Sequence, residues 1–199
     1  EEFDLPAELT HDINYAAVAC ARAAVDEWNE RTPHKPRFIA GSIGPTTKQM
    51  AISTRGDDAG LRDITYDQMV DSYYQQVAAL VEAGVDILLP ETVIDTLNLK
   101  SCLFAISKYF DDTGNRIPVM VSGTFNDAGV TFVSSQNVEA FWNSISHFPL
   151  LSVGMNCARG PQTMRPHIEE LSHVSSALIS CHPNAGLPNE MGQYDLGPA

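Results

Sequence analysis

Hydrophobic and polar positions along this chain switch repeatedly between two periods. Short apolar runs occupy residues 38–43, 86–91, 118–123, 150–155 and 177–181, each closed by turn residues or by a helix end. Runs of that length and composition suit strands buried on both faces, as in a parallel sheet, better than half-exposed antiparallel strands.

Between the runs the period becomes helical. Thr65 followed by Gln68 is a capping-box pattern, in which each side chain satisfies a backbone donor that the helix start leaves open. Behind it Met69, Tyr73, Val77 and Leu80 share a face, and Gly84 is placed to end the helix. Asp95 caps a second helix carrying Leu99, Cys102, Leu103, Ile106 and Phe110, and Asn137 caps a third with Val138, Phe141, Trp142 and Ile145. Pro166 is tolerated only near a first turn, so a fourth helix is expected to start near Thr163 and run to about His173. Ahead of the first strand, residues of about 8–30 predict another helix, with Ile13, Ala17, Cys20, Ala24 and Trp28 on its packed side.

Alternation of this kind predicts an α/β fold of successive βα units with right-handed crossovers, and no low-complexity linker divides it. The expected count is five strands and five helices. A closed barrel needs eight strands and about 250 residues, whereas an open five-stranded sheet fits the count as it stands. The pattern leaves both architectures open.

Composition narrows the partners. Twelve Lys and Arg face 25 Asp and Glu, a net charge of −13 that disfavours nucleic acid and anionic membrane as partners. No apolar run approaches the ~18 residues of a membrane span, and residues 1–4 lack the features of a signal peptide. Cysteines 20, 102, 157 and 181 form no CxxC pair, so a reduced, cytoplasmic protein is expected, with Cys20 and Cys102 as packing thiols.

Chemistry in a parallel sheet collects at the carboxyl ends of strands. Those ends carry Gly44-Pro45-Thr46-Thr47, Glu91-Thr92, Thr124-Phe125-Asn126, Asn156-Cys157 and His182-Pro183-Asn184. Cys157 reads either as a half-buried structural thiol or as a metal ligand, and Glu91 either as an ion-pair partner or as a carboxylate for an ammonium group. The glycines at 41 and 44 have the wrong spacing for a Walker A loop, and nothing matches a serine nucleophile elbow, HExxH or an EF-hand.

Six segments go further. They are Ala40-Gly41-Ser42-Ile43-Gly44-Pro45-Thr46, Pro90-Glu91-Thr92-Val93-Ile94-Asp95-Thr96-Leu97-Asn98, Val121-Ser122-Gly123-Thr124-Phe125, Ala140-Phe141-Trp142-Asn143-Ser144, Gly154-Met155-Asn156-Cys157-Ala158 and His182-Pro183-Asn184-Ala185-Gly186-Leu187-Pro188-Asn189. In that order they resemble the homocysteine-binding (homocysteine S-methyltransferase) domain of cobalamin-dependent methionine synthase, from about residue 8 to residue 196. The resemblance implies part of a (β/α)8 TIM barrel: residues 1–199 as one domain holding about strands three to seven, with no counterpart of strands one, two and eight.

It also implies roles. In that family zinc is held by the Cys of an Asn-Cys motif after strand six and a Cys-Cys pair after strand eight. Cys157 matches the first, and the pair has no counterpart in 1–199. Asn184 resembles the amide that fills the fourth zinc position until substrate thiol displaces it, and Glu91 the carboxylate that receives the ammonium of L-homocysteine. Cys181 stands where relatives usually carry a small residue. The implied reaction makes methionine by attack of a zinc thiolate on the methyl group of methylcobalamin, the methyl coming from 5-methyltetrahydrofolate. Cobalamin and folate would sit on other modules, making the cobalamin-carrying module a partner. The 199-residue stretch alone is expected to be inactive. The alternatives are a stand-alone homocysteine methyltransferase using betaine or S-methylmethionine, and a non-catalytic open α/β domain.

Overall fold

The computed structural model describes residues 6, 9–53, 56–186, 188–194 and 197. Among them run α1 (Leu9–Arg31), β1 (Ala40–Ile43), α2 (Tyr66–Ala83), β2 (Ile87–Pro90), α3 (Thr96–Thr113), β3 (Met120–Gly123), α4 (Val138–Ile145), β4 (Ser152–Asn156), α5 (Pro161–Val174) and β5 (Leu178–His182). The βα alternation is as the two periods require. Each strand begins a residue or two later than its apolar run, the leading residues making at most single bridges or hydrogen bonds to the neighbouring segment; Phe38, at the start of the first run, is exposed.

The five strands pair only in parallel. Ala40 lies opposite Ile87 and Ile43 opposite Pro90, while β4 sits between β3 and β5 with Gly154 facing Ser122 on one side and Ser180 on the other. Single parallel bridges, Leu88 to Val119 and Val93 to Gly123, join the two groups, so spatial order follows chain order. Side chains alternate across the strands. A Cβ on Gly41 would meet Leu80 and Val85, and one on Gly123 would meet Phe141, so that parity faces the helices. Ser42, Leu89, Ser122 and Ser152 belong to the opposite parity, which lines the hollow side.

The helices begin and end where local chemistry dictates. Thr65 and Gln68 form the capping box, and Gly84 adopts φ 93°, a left-handed turn that only glycine enters at little cost. Asp95 and Asn137 accept from the first-turn amides of α3 and α4. Met69, Tyr73, Val77 and Leu80 of α2 join Leu99, Cys102, Leu103 and Ile106 of α3 in one buried cluster that continues into Phe141, Ile145, Val153 and Met155.

Two expectations need correcting. The packed side of α1 is not the stripe read from the sequence: Ile13 and Trp28 are 53% and 48% exposed and Cys20 is exposed, whereas Val18 is buried with Ala21 and Val25 partly buried beside it. Small Ala residues occur on every side of α1, so periodicity there discriminates poorly, and contact with α2 decides the face. Cys20 is therefore not a packing thiol. Helix α5 starts at Pro161 rather than near Thr163, since a proline at the first helical position has no amide to waste; Pro166 lies inside the helix.

Gly154 is required by its neighbour. A Cβ there would lie 2.0 Å from the Ser180 carbonyl oxygen, a backbone atom that cannot swing aside. Gly154→Ala should lower stability by about 1–3 kcal/mol in urea unfolding. Gly56→Ala, with no heavy atom near its Cβ, should change it by about 0.5 kcal/mol or less.

Candidate substrate and metal site

Parallel pairing brings the residues that follow each strand to one face. Glu91 follows β2, its amide donating to the Ile43 carbonyl at 3.0 Å while the Ser42 hydroxyl donates to its Oε1 at 2.5 Å. The carboxylate is half-buried and fixed at one oxygen by β1. Thr92 then turns the chain with φ 58°.

Asn156, the buried last residue of β4, connects this strand end to the next part of the site. Its Oδ1 accepts from the Thr92 amide at 3.0 Å, and its Nδ2 donates to Thr92 Oγ1 at 2.8 Å and to Cys157 Sγ at 3.2 Å. Its own carbonyl accepts from Thr124 Oγ1 at 3.0 Å, so β3 contributes as well. Cys157 and Ala158 both adopt left-handed backbone, φ 58° and 57°, which costs a residue with a Cβ about 1 kcal/mol or more. The Cys157 amide donates to His182 at 3.2 Å and the Asn184 amide to the Arg159 carbonyl at 2.8 Å, which locks the β4 and β5 ends together. Glu91, Cys157 and Asn184 thus lie along one continuous chain of contacts at one mouth.

Four residues of this network carry no signal in period or composition: Ser42, Thr92, Asn156 and Arg159. Asn156 and Thr92 merely adjoin Cys157 and Glu91 in the sequence. Arg159 is only 8% exposed; its guanidinium donates to the Asn126 carbonyl, with Nε at 2.9 Å, and reaches the exposed Asp127 at 3.5 Å. It fastens the loop after β3 to the loop after β4. Beneath the mouth, Ser122, Gly154 and Ser180 stand side by side, giving a floor of small groups where barrel interiors commonly hold bulky branched residues.

The remaining thiols separate by environment. Cys181 Sγ points to Met164 Sδ at 3.3 Å on the helix side, and burial raises its pKa. Cys102 is fully buried, and burial pushes its thiol far above the ordinary range. Beside it, burial and the neighbouring Cys102 raise the Tyr73 phenol, against a small opposing effect from its hydrogen bond with Thr46. Of side chains that could hold a metal, the strand ends among the described residues carry the Cys157 thiol, the Glu91 carboxylate and the amide of Asn184. Among the described residues no three His, Cys, Asp or Glu side chains come together as the three protein ligands of a zinc centre do.

A sequence profile of the homocysteine S-methyltransferase family matches residues 1–199. The chain belongs to that family. The homocysteine S-methyltransferase fold is also what solved structures show. The apo form of the homocysteine methyltransferase MmuM from Escherichia coli aligns with TM-score 0.75 at 18% identity, over 92% of this chain and 62% of MmuM. The metallated form aligns with TM-score 0.69 at 19% identity, over 88% and 59%. The chain thus spans about three fifths of the length of this relative, and the partial (β/α)8 architecture follows, which settles the choice the strand count left open. Among the described residues no helix is long and apolar enough to cross a membrane.

The thiols make a direct check. Only thiolate is alkylated, and a raised pKa lowers the thiolate fraction at any given pH. Iodoacetamide at pH 8 should modify exposed Cys20 rapidly and Cys102 only once the protein unfolds, as read by peptide mass mapping.

Proposed function

We propose that this chain forms the homocysteine-facing part of a methyltransferase that makes methionine, with Glu91, Cys157 and Asn184 in the substrate and metal roles. The observation that carries this reading is the contact path from Ser42 and Glu91 through Thr92 and Asn156 to Cys157 and Asn184. It joins a carboxylate and a thiol through hydrogen-bonded neighbours on one face, the two groups that recognition of an amino acid thiol requires.

Glu91 receives the substrate ammonium. Ser42 occupies one carboxylate oxygen and orients the other. Cys157 is one sulfur ligand of a zinc ion, presented by its left-handed backbone and by the Asn156 amide, and Asn184 is an exchangeable ligand one strand away. Zinc bound there supplies the acidity that keeps the homocysteine thiol, with an ordinary pKa of about 8.5, as thiolate at neutral pH. Two donors from this chain fall short of the usual set, so zinc retention requires further sulfur ligands, for which the family's Cys-Cys pair is the natural source.

For the methyl donor we favour methylcobalamin on a separate module, the methyl arising from 5-methyltetrahydrofolate, because the six motifs together resemble cobalamin-dependent methionine synthase. The alignment with MmuM, a homocysteine methyltransferase, supports a second reading with betaine or S-methylmethionine as donor. Assaying the full-length protein with each donor separates the two.

The metal and substrate roles are tested by elemental analysis and calorimetry on the 199-residue chain and on a version extended at both ends. The extended protein should hold about one zinc and the 199-residue chain little. In the extended protein Cys157→Ser should abolish stoichiometric zinc, and Glu91→Gln should weaken homocysteine binding about 10–100-fold with zinc retained. Undiminished zinc in Cys157→Ser would remove the basis of the assignment.

A further inference from the structure

The connection 44–65 between β1 and α2 is the longest between described elements, and it leaves β1 at the face where Glu91 emerges. Connections of that length in compact domains are usually functional or disordered. This one is fastened near its start, and the fastening comes from α3. Asp95, 1% exposed, divides its two carboxylate oxygens between separate tasks. Oδ1 caps α3, accepting from the amides of Leu97 at 2.8 Å and Asn98 at 3.4 Å. Oδ2 accepts from the amides of Met50 at 3.0 Å and Ala51 at 2.8 Å. Asn98 grips the same segment: its Oδ1 accepts from Met50 at 3.1 Å, and its Nδ2 donates to the Lys48 carbonyl at 2.8 Å and to Thr46 Oγ1 at 3.2 Å.

An N-cap needs only one short acceptor, so α3 does not require the second oxygen or the Asn98 amide. What they immobilise is a segment that shares a narrow cleft of about 20 Å³ with Glu91. Gly44, Pro45, Gln49, Asp95 and Asn98 line that cleft together with Glu91, and Tyr73, Leu99 and Cys102 close it on the helix side. There is little room in it for more than a water, so the segment and the Glu91 strand end pack directly against one another.

We propose that Asp95 and Asn98 are positioning residues that fix segment 46–51 against the Glu91 strand end and thereby set affinity for the amino-acid end of homocysteine. The proposal rests on the reading of Glu91 given above. Holding the segment in one conformation before substrate arrives removes an ordering cost from binding. The effect belongs to ground-state binding, since neither residue reaches the thiol ligand end of the site.

The test uses the full-length enzyme with Asp95→Ser and Asn98→Ala. Serine still caps α3 but is too short to reach Met50 and Ala51. Hydrogen exchange should rise about tenfold or more over residues 46–51 in both variants, with residues 99–103 of α3 unchanged. KM for homocysteine should rise about tenfold while kcat stays within about twofold. Unchanged exchange over 46–51, or faster exchange with an unchanged KM, overturns the proposal. Loosening of α3 together with the segment in Asn98→Ala, which leaves the Asp95 cap in place, reduces Asp95 and Asn98 to ordinary fold stabilisers and also overturns it. If the unmutated enzyme has no affinity for homocysteine, the functional reading fails and this proposal falls with it. If it binds and both variants bind equally well, this proposal alone fails.

Discussion

Every strand of the sheet pairs parallel to its neighbour, and the rest of the molecule depends on that constraint. A parallel ladder cannot be closed by a tight turn, so β1 to β4 are each followed by a helix that carries the chain back to the starting edge. The crossovers place all strand carboxyl ends on one face. Residues from four separate segments, near 42, 91, 124 and 157, are neighbours there because backbone geometry leaves them no other arrangement. Family membership and the likeness to MmuM agree with this picture of part of a barrel wall.

Within that face, Asn156 is the point where the parts become a unit. A single amide satisfies both the donor and the acceptor of Thr92 and still reaches Cys157. Two adjacent non-glycine residues in left-handed conformation follow it. Such backbone persists only where surrounding bonds hold it, and here the hold comes from His182, Thr124 and Arg159, each on a different segment. The thiol is aimed by bonds from both neighbouring strands, not by its own strand alone.

How much of this is legible in the sequence depends on whether a residue acts through local geometry or through distant contacts. Thr65, Asp95, Asn137 and Gly84 do their work within a turn of their own position, and the helix limits they mark agree with the structure. The apolar faces of α2, α3 and α4 are equally plain, since one side of each helix is fully buried. Helix α1 is different: alanines surround it, and only its meeting with α2 shows that Val18 points inward while Cys20 does not. Glu91, Cys157 and Asn184 stand out because strand ends are where chemistry gathers, and family motifs then name them. Ser42, Asn156 and Arg159 matter through partners dozens of residues away, or across a strand, and no local pattern reports such pairings. Asp95 is legible as a cap, but its second oxygen bonds a segment some 45 residues earlier, which only the folded chain discloses.

The bare Cα at position 154 has a consequence for how the mouth is dimensioned. With no side chain between them, β4 and β5 approach until the Ser180 carbonyl fills the space a methyl group would take. Three residues further on, just past the end of β4, stands Cys157, and beyond the end of β5 the backbone of Asn184 bonds the Arg159 carbonyl. The separation of those two strand ends therefore depends on a missing atom well below them. A wedge at that level would spread the strand tips as a pin spreads a clip, so bite width at the rim is a property of the ladder beneath it.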